Sequence, residues 1–143
     1  MRGAITTRVL PRQYEFLKAC QEKRYVAFVG GIQSGKTTSA ALQAWIEVAR
    51  NRPPHRGWIV APTYQLSEVP ERDFVALMPE GIKRIRRENQ RLIYELYNGH
   101  TVEFKTAEDP DKLRGERLAW VHVEEAAQLT REVVDILYGR VLA

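Results

Sequence analysis

The 143-residue chain contains one cysteine, Cys20, so it cannot form an internal disulfide, and nothing points to an oxidising compartment. It has no apolar run approaching the roughly 18 residues of a transmembrane helix. Residues 1–8 lack the apolar stretch of a secretory signal. With no internal repeat and no low-complexity segment, the sequence predicts one domain over residues 1–143, in the cytoplasm and without a membrane anchor.

The net charge of +4 comes from one short segment. Residues 83–91 hold five basic side chains and one acid, Glu88, whereas the rest of the chain is balanced. The basic residues are Lys83, Arg84, Arg86, Arg87 and Arg91. Local positive charge attracts a polyanion such as double-stranded DNA, and a solvated helix or loop ahead of a hairpin is an equally good interpretation. Both interpretations stay open.

Apolar runs and their spacing predict alternating strands and helices. Residues 25–29 are a continuous apolar run rich in β-formers, typical of a strand buried on both faces. Asn98-Gly99 predicts a type I′ hairpin turn because both residues tolerate positive φ. The predicted strands are residues 25–29, 57–61, 91–97, 101–105 and 120–123. The predicted helices are residues 11–20, the segment after Lys36 up to Asn51, residues 65–78 and the tail through Leu137. This order predicts an α/β sandwich around a mostly parallel sheet.

A phosphate-binding loop is the most informative motif. Residues 30–37 match G-x-x-x-x-G-K-[ST] between a predicted strand and a predicted helix. The glycines let backbone N–H groups turn towards phosphates, Lys36 supplies charge to the β and γ phosphates, and Thr37 offers a hydroxyl to Mg²⁺. The predicted nucleotide contacts are Gly30, Gly31, Ile32, Gln33, Ser34, Gly35, Lys36, Thr37 and Thr38. The predicted fold is a three-layer P-loop NTPase sandwich of the ASCE (RecA-like) type with a β-hairpin insertion.

Two adjacent acids, Glu124 and Glu125, directly follow the last predicted strand. A nucleotide hydrolase needs one carboxylate for the Mg²⁺ shell and a second group to activate water. Glu124 is therefore predicted as the metal-side acid, the Walker B position, and Glu125 as the general base. The competing interpretation is that both acids begin the next helix near its N-terminal dipole. No Asn-Lys-x-Asp motif that reads guanine is present, so ATP with Mg²⁺ is the predicted cofactor pair.

The succession of these motifs resembles the N-terminal ATPase region of the large terminase subunit of tailed bacteriophages, the motor that packages DNA into procapsids. Apart from the phosphate loop each piece is loose, so the specificity comes from their order. The pieces are Pro11-Arg12-Gln13, the loop 30–37, Val60-Ala61-Pro62-Thr63-Tyr64, the stretch from Val102 to Gly115, and Val121 to Ala126.

The resemblance implies roles for residues outside the two motifs. Gln13 would contact the adenine edge. Arg114 would reach the γ-phosphate of a neighbouring subunit and act in catalysis beside Lys36 and Glu125, with Arg117 as the alternative. The implied partners are double-stranded DNA, the portal and procapsid, the small terminase subunit and further copies of the chain in a ring, all in the cytoplasm of the bacterial host.

Two departures and two alternatives accompany this resemblance. Family members often have an arginine where this loop has Ile32, and they continue with a coupling motif and a metal-dependent nuclease domain, so a truncated chain without DNA cleavage is expected.

One alternative is a fragment of a superfamily 2 DNA helicase or translocase. Those proteins carry Asp-Glu-x-His or Asp-Glu-x-Asp, whereas Glu125-Ala126-Ala127 lacks that ending. The other is a remnant that binds nucleotide without turnover.

Overall fold

The computed structural model describes residues 8–29, 35–78, 82–88 and 91–141. Its α-helices are α1 (Pro11–Glu22), α2 (Lys36–Arg50), α3 (Tyr64–Ala76) and α4 (Arg131–Val141). Its strands are β1 (Arg56–Ala61), β2 (Ile82–Glu88), β3 (Arg91–Leu96), β4 (Thr101–Thr106) and β5 (Trp120–Val123). Each predicted helix is present, with small changes at its ends. No described helix combines the length and the apolar character needed to cross a bilayer.

The described strands form one sheet in the order β2-β3-β4-β1-β5. β1 lies between β4 and β5 and is parallel to both. β3 is antiparallel to β2 and to β4. Among the described strands, β3 therefore runs against all the others. This confirms the predicted mixed α/β fold with a mostly parallel sheet.

Side chains of β1 alternate between two apolar layers. Ile59 packs on one face of the sheet with Trp45 of α2 and Phe74 of α3, whose rings stack with centroids 4.3 Å apart. Trp58 packs on the other face against α4. Because residues 57–61 are all buried, β1 lies at the centre of the core with helices on both sides.

The predicted strand at residues 25–29 is wrong. Val29 is 93% exposed, and the segment pairs with no strand in the described part of the chain. Its aromatic rings contact helices: Phe28 packs against α1, and Tyr25 lies 4.9 Å from Tyr138 of α4, centroid to centroid. An apolar run favours contact between side chains, but it does not supply the neighbouring strand that a ladder of backbone hydrogen bonds requires.

The predicted hairpin is confirmed as β3 and β4, but the type of its turn differs. The N–H of Gly99 donates to the carbonyl of Leu96 (3.0 Å), and Gly99 has a φ of +84°, whereas Asn98 does not have a positive φ. This is typical of a type I turn followed by a left-handed glycine, not of a type I′ turn. The Asn98 side chain donates to the carbonyl of Val48 (2.7 Å), so contact with α2 holds this residue in place.

The described residues of the basic segment, 83–88 and Arg91, lie in β2 and at the start of β3. The interpretation of this segment as a helix or loop is therefore wrong. β2 is the edge strand of the described sheet, and basic side chains on an edge strand discourage pairing with further strands. Arg87 is 68% exposed at its side chain and lies 3.9 Å from Glu71 of α3. Contact with DNA stays a prediction.

A buried polar cluster joins the hairpin to β5. His100 is fully buried; its Nε2 accepts a hydrogen bond from Nε1 of Trp120 (3.0 Å), and its Nδ1 lies 3.0 Å from Oδ1 of Asn51. Because Nε2 accepts, the proton of the neutral ring is on Nδ1 and is donated to Asn51. Burial, with smaller effects of His55 and Arg52, lowers the pKa of His100 to about 4.

The free energy of unfolding should fall as the pH drops from about 6.5 to about 4. In the unfolded chain His100 binds a proton near its ordinary pKa of 6.5, whereas the folded ring stays neutral down to about 4, so protons favour the unfolded state in this window. This one group accounts for a loss of about 3 kcal/mol. Urea unfolding across that pH range measures it. His100→Gln, which does not titrate, should lose this part of the slope, and an unchanged slope would contradict the assignment.

Candidate functional site

The start of α2 and the end of β5 meet at one edge of the sheet. Gly35, directly before α2, has a φ of +82°, a left-handed conformation that favours glycine. One residue past β5, the N–H of Glu124 donates to the carbonyl of Val60 in β1 (2.8 Å). The predicted loop residues Gly30, Gly31, Ile32, Gln33 and Ser34 lie outside the described residues.

Thr37 and Glu124 are in direct contact although 87 positions separate them in the sequence. The hydroxyl of Thr37 donates to Oε1 of Glu124 at 2.8 Å, and Glu124 is 8% exposed. Hydroxyl and carboxylate oxygens are hard ligands of the kind that Mg²⁺ takes in proteins. The two residues that the sequence predicts as metal ligands, Thr37 and Glu124, thus lie in contact in the structure.

Lys36 and Glu125 form a second contact beside the first. Nζ of Lys36 lies 3.8 Å from Oε1 of Glu125, and both side chains are about one-third exposed, at 31% and 37%. Glu125 has a φ of +52°, which is uncommon for a residue with a side chain. Glu125 is the N-cap residue of a three-residue 3₁₀ helix, Ala126–Gln128, but makes no side-chain cap bond there. The next α-helix begins only at Arg131, so the two acids do not form the first turn of that α-helix.

Several neighbouring groups shift the pKa of the Glu124 carboxyl. Burial raises the pKa of this carboxyl, but the hydrogen bond and charge of His122, the hydrogen bond of Thr37 and the charge of Lys36 outweigh burial, and the pKa is lowered from its ordinary value. Nε2 of His122 lies 2.9 Å from Oε2 of Glu124. The carboxylate is therefore ionised at neutral pH, and both of its oxygens have hydrogen-bond partners.

Gln13 of α1 lies against the start of α2. Its Oε1 accepts from the N–H of Leu10 (2.8 Å), and its Nε2 donates to the carbonyl of Gly35 (3.0 Å). The side chain is buried. Gln13 therefore touches the described end of the predicted phosphate loop, and its contact with adenine stays a prediction.

Two further predicted residues lie outside this cluster. The guanidinium of Arg114 is on the surface, 3.4 Å from Asp111 and 3.6 Å from Glu132, with 55% of the side chain exposed. The hydroxyl of Thr38 donates a long hydrogen bond to Asp73 of α3 (3.4 Å). Neither residue joins the contacts of the two glutamates.

Of the basic residues predicted to bind DNA, Arg87 and Arg91 have described side chains, and both contact acids other than the two glutamates. Arg91 makes two hydrogen bonds to the carboxylate of Glu103 (2.8 and 2.9 Å) and approaches Glu116 at 3.4 Å, so its charge is largely compensated. Arg87 is exposed. The side chains of Lys83, Arg84 and Arg86 lie outside the described part of the structure.

Sequence reasoning missed the contact between His122 and Glu124. Taken alone, a histidine on an apolar strand indicates only a hydrogen-bonded residue of the core. The available signal was the spacing, because residues i and i+2 of an extended chain share one face. A histidine two positions before a predicted metal-side acid is therefore placed to touch it.

Comparison with solved structures places the fold among the ATPase domains of large terminases. The large terminase ATPase domain of Thermus phage P74-26 superposes with a TM-score of 0.56 at 30% sequence identity, over 77% of this chain and 53% of that chain. A large terminase from a thermophilic bacteriophage, solved in complex with ADP, superposes with a TM-score of 0.68 over 91% of this chain and 35% of that chain. At 16% identity, the second likeness concerns the fold alone.

Sequence comparison shows the family. The profile of the T4likevirus-type terminase large subunit, N-terminal region, matches residues 27–134. The large terminase subunit of Thermus virus P23-45 is 35% identical over 127 residues, covering 75% of this chain and 26% of that protein. The chain belongs to the large terminase subunit family, which confirms the resemblance that its motifs carry. It spans about a quarter of the length of the curated relatives it matches.

Replacing Gly35 by alanine should destabilise the protein more than its φ alone predicts. A Cβ there would lie 2.3 Å from Nε2 of Gln13, whereas a Cβ at Gly99, with nearly the same φ, would meet nothing within 4 Å. Each substitution costs about 1–2 kcal/mol for the left-handed conformation, and Gly35→Ala adds about 1 kcal/mol because the Gln13 hydrogen bond is lost. Urea unfolding of both variants measures the difference, and equal losses would contradict this reading.

Proposed function

We propose that this chain is the ATP-binding and ATP-hydrolysing module of a phage DNA-packaging motor, and that in the full-length large terminase it couples hydrolysis to DNA translocation. One observation carries the proposal. Thr37 meets Glu124 at 2.8 Å while Lys36 faces Glu125 at 3.8 Å. A hydroxyl, an ammonium and two carboxylates so arranged are the groups that P-loop enzymes use for phosphoryl transfer.

ATP is proposed to bind at the loop 30–37 and the N-terminus of α2. Backbone N–H groups and the positive end of the helix dipole favour phosphate at this position, and Lys36 adds a point charge. Gln13 is proposed to read the adenine edge. Its carboxamide uses one donor on Gly35 and one acceptor site on Leu10, which leaves one donor and one acceptor site for the base.

Thr37 and Glu124 are proposed to hold Mg²⁺ together with the nucleotide. Their oxygens are already gathered at 2.8 Å, and the carboxylate is ionised, so the donor set fits a hard divalent cation. When bound, Mg²⁺ neutralises charge on the β and γ phosphates. Without nucleotide, the hydrogen bond from Thr37 keeps the buried carboxylate of Glu124 satisfied.

Glu125 is proposed as the general base, with Lys36 as its partner until nucleotide arrives. Phosphates attract the ammonium of Lys36 away from Glu125, and this carboxylate, about one-third exposed, is then free to orient and deprotonate water. Arg114 is proposed to act on the γ-phosphate of a neighbouring copy in a ring. Its exposure and its ion pairs with two surface acids suit a side chain that exchanges partners at an interface.

Duplex DNA is the proposed substrate for translocation, with the portal, the procapsid and the small terminase subunit as partners of the full-length protein. Family membership supports these partners. Within this chain, the basic side chains of residues 83–91 are proposed to contact DNA phosphates. Arg87 on the edge strand β2 is exposed to do so, whereas Arg91 is committed to Glu103.

Substitutions of Lys36 and of Glu125 should separate nucleotide binding from nucleotide hydrolysis. Lys36→Ala should abolish ATP binding because the phosphates lose their cation. Glu125→Gln should still bind ATP but should hydrolyse it at least about 100-fold more slowly than the wild type, because the amide cannot accept the proton of the attacking water. Equilibrium binding of a fluorescent ATP analogue and release of inorganic phosphate measure the two effects.

Glu68→Gln, on an exposed face of α3, is the matched control and should resemble the wild type. If the wild type binds ATP but turns it over no faster than Glu125→Gln, the chain alone is the remnant that binds without hydrolysis. If it binds no nucleotide, the proposed function is wrong.

Replacing Arg84, Arg86 and Arg87 with alanine should weaken binding to duplex DNA of any sequence. Each lost phosphate contact lowers the slope of log affinity against log salt by about 0.9. Fluorescence anisotropy across a salt series measures that slope. The control variant replaces the exposed Arg12, Arg72 and Arg131, which removes the same charge elsewhere. Equal weakening in both variants would indicate general attraction and not a contact through β2.

A further inference from the structure

His122 and Glu124 lie at the end of β5 and are in direct contact. Residues two apart in an extended chain share one face, and Nε2 of His122 lies 2.9 Å from Oε2 of Glu124. The side chain of His122 is 20% exposed and that of Glu124 is 10% exposed. The contact is therefore largely shielded from water.

The two oxygens of this carboxylate have different partners. Thr37 donates to Oε1 at 2.8 Å, and His122 reaches Oε2 at 2.9 Å. An ionised carboxylate only accepts hydrogen bonds, so Nε2 carries the proton that is shared. The terminal torsion of a glutamate has broad, shallow minima. Donors on both oxygens restrict that torsion. With Thr37 as the one donor, the carboxylate could still turn about its Cγ–Cδ bond.

We infer that His122 is a positioning residue, which holds the Glu124 carboxylate so that Oε1 faces Thr37 and the metal of a bound nucleotide. The inference rests on the proposed function, because it deepens the role of the same site. Hydrogen bonds to a ligating carboxylate orient it, and their loss commonly weakens metal binding 10- to 100-fold. The hydrogen bond, not the bulk of the ring, carries the effect.

The experiment compares three replacements of His122. In His122→Gln the amide nitrogen reaches about as far as Nε2 and can donate to Glu124. In His122→Asn the amide is one bond too short, and in His122→Leu the donor is absent. His55→Leu is the control, since His55 is an exposed histidine that contacts Asn51 and no residue of the site.

Binding of Mn²⁺ in the presence of ADP is followed by electron paramagnetic resonance, with Mn²⁺ standing in for Mg²⁺. Affinity for ADP without metal is measured in EDTA. The Asn and Leu variants should bind Mn²⁺ at least 10-fold more weakly than the wild type and bind metal-free ADP unchanged. The Gln variant and the His55 control should remain within about threefold of the wild type.

Each outcome separates the two proposals. A wild type that binds neither ADP nor Mn²⁺·ADP overturns the proposed function and the role of His122 together. A wild type that binds both, with Asn and Leu variants of equal Mn²⁺ affinity, overturns the role of His122 alone. Weakening in the Gln variant as large as in the Leu variant also overturns it, because the donor would then not matter. If the Leu variant does not fold, the Asn variant decides.

Discussion

The parallel pairing of β1 with β5 is the constraint on which the candidate site depends. Val60 lies opposite Val123 in the register, and the ladder continues for one more hydrogen bond, from the N–H of Glu124 to the carbonyl of Val60. This bond determines where the chain leaves the sheet. Parallel strands end at a common edge, which in open α/β sheets is where ligands bind. A change that loosens β5 therefore displaces both carboxylates as well as weakening the core.

The first turn of α2 is positioned by contacts further along the helix. Trp45 stacks on Phe74 and donates its indole N–H to the Phe74 carbonyl (2.9 Å), which joins α2 to α3 deep in one apolar layer. Nearer the start, the buried hydroxyl of Ser39 donates to the carbonyl of Gly35 (2.8 Å). Because packed interiors leave few voids, this packing limits how far α2 can shift against α3 and the sheet.

Local sequence predicted most of the elements and the two motifs whose described residues lie together in the candidate site. The motif at residues 30–37 and the pair of glutamates after an apolar run are local patterns, and the helix and the strand that carry them are where those patterns placed them. Residues 25–29 show what local patterns lack. The run has the composition of a buried strand, but a strand requires a neighbour with free hydrogen-bonding groups, and that condition concerns the whole sheet. His122 is a different case, because its spacing of two residues from Glu124 was a local signal that pointed to the contact.

The two adjacent glutamates show how backbone conformation divides identical side chains between two environments. Glu124 follows β5 directly, donates its N–H to Val60 and stays buried beside Thr37. Glu125 takes a φ of +52°, which turns its side chain outwards to Lys36 and water. A left-handed residue with a side chain costs about 1–2 kcal/mol, and such conformations persist where the surrounding structure determines them strongly. Here the ladder bond before the turn and the ion pair after it hold the chain on both sides. One carboxylate is thereby buried against Thr37, and the other faces Lys36 and water.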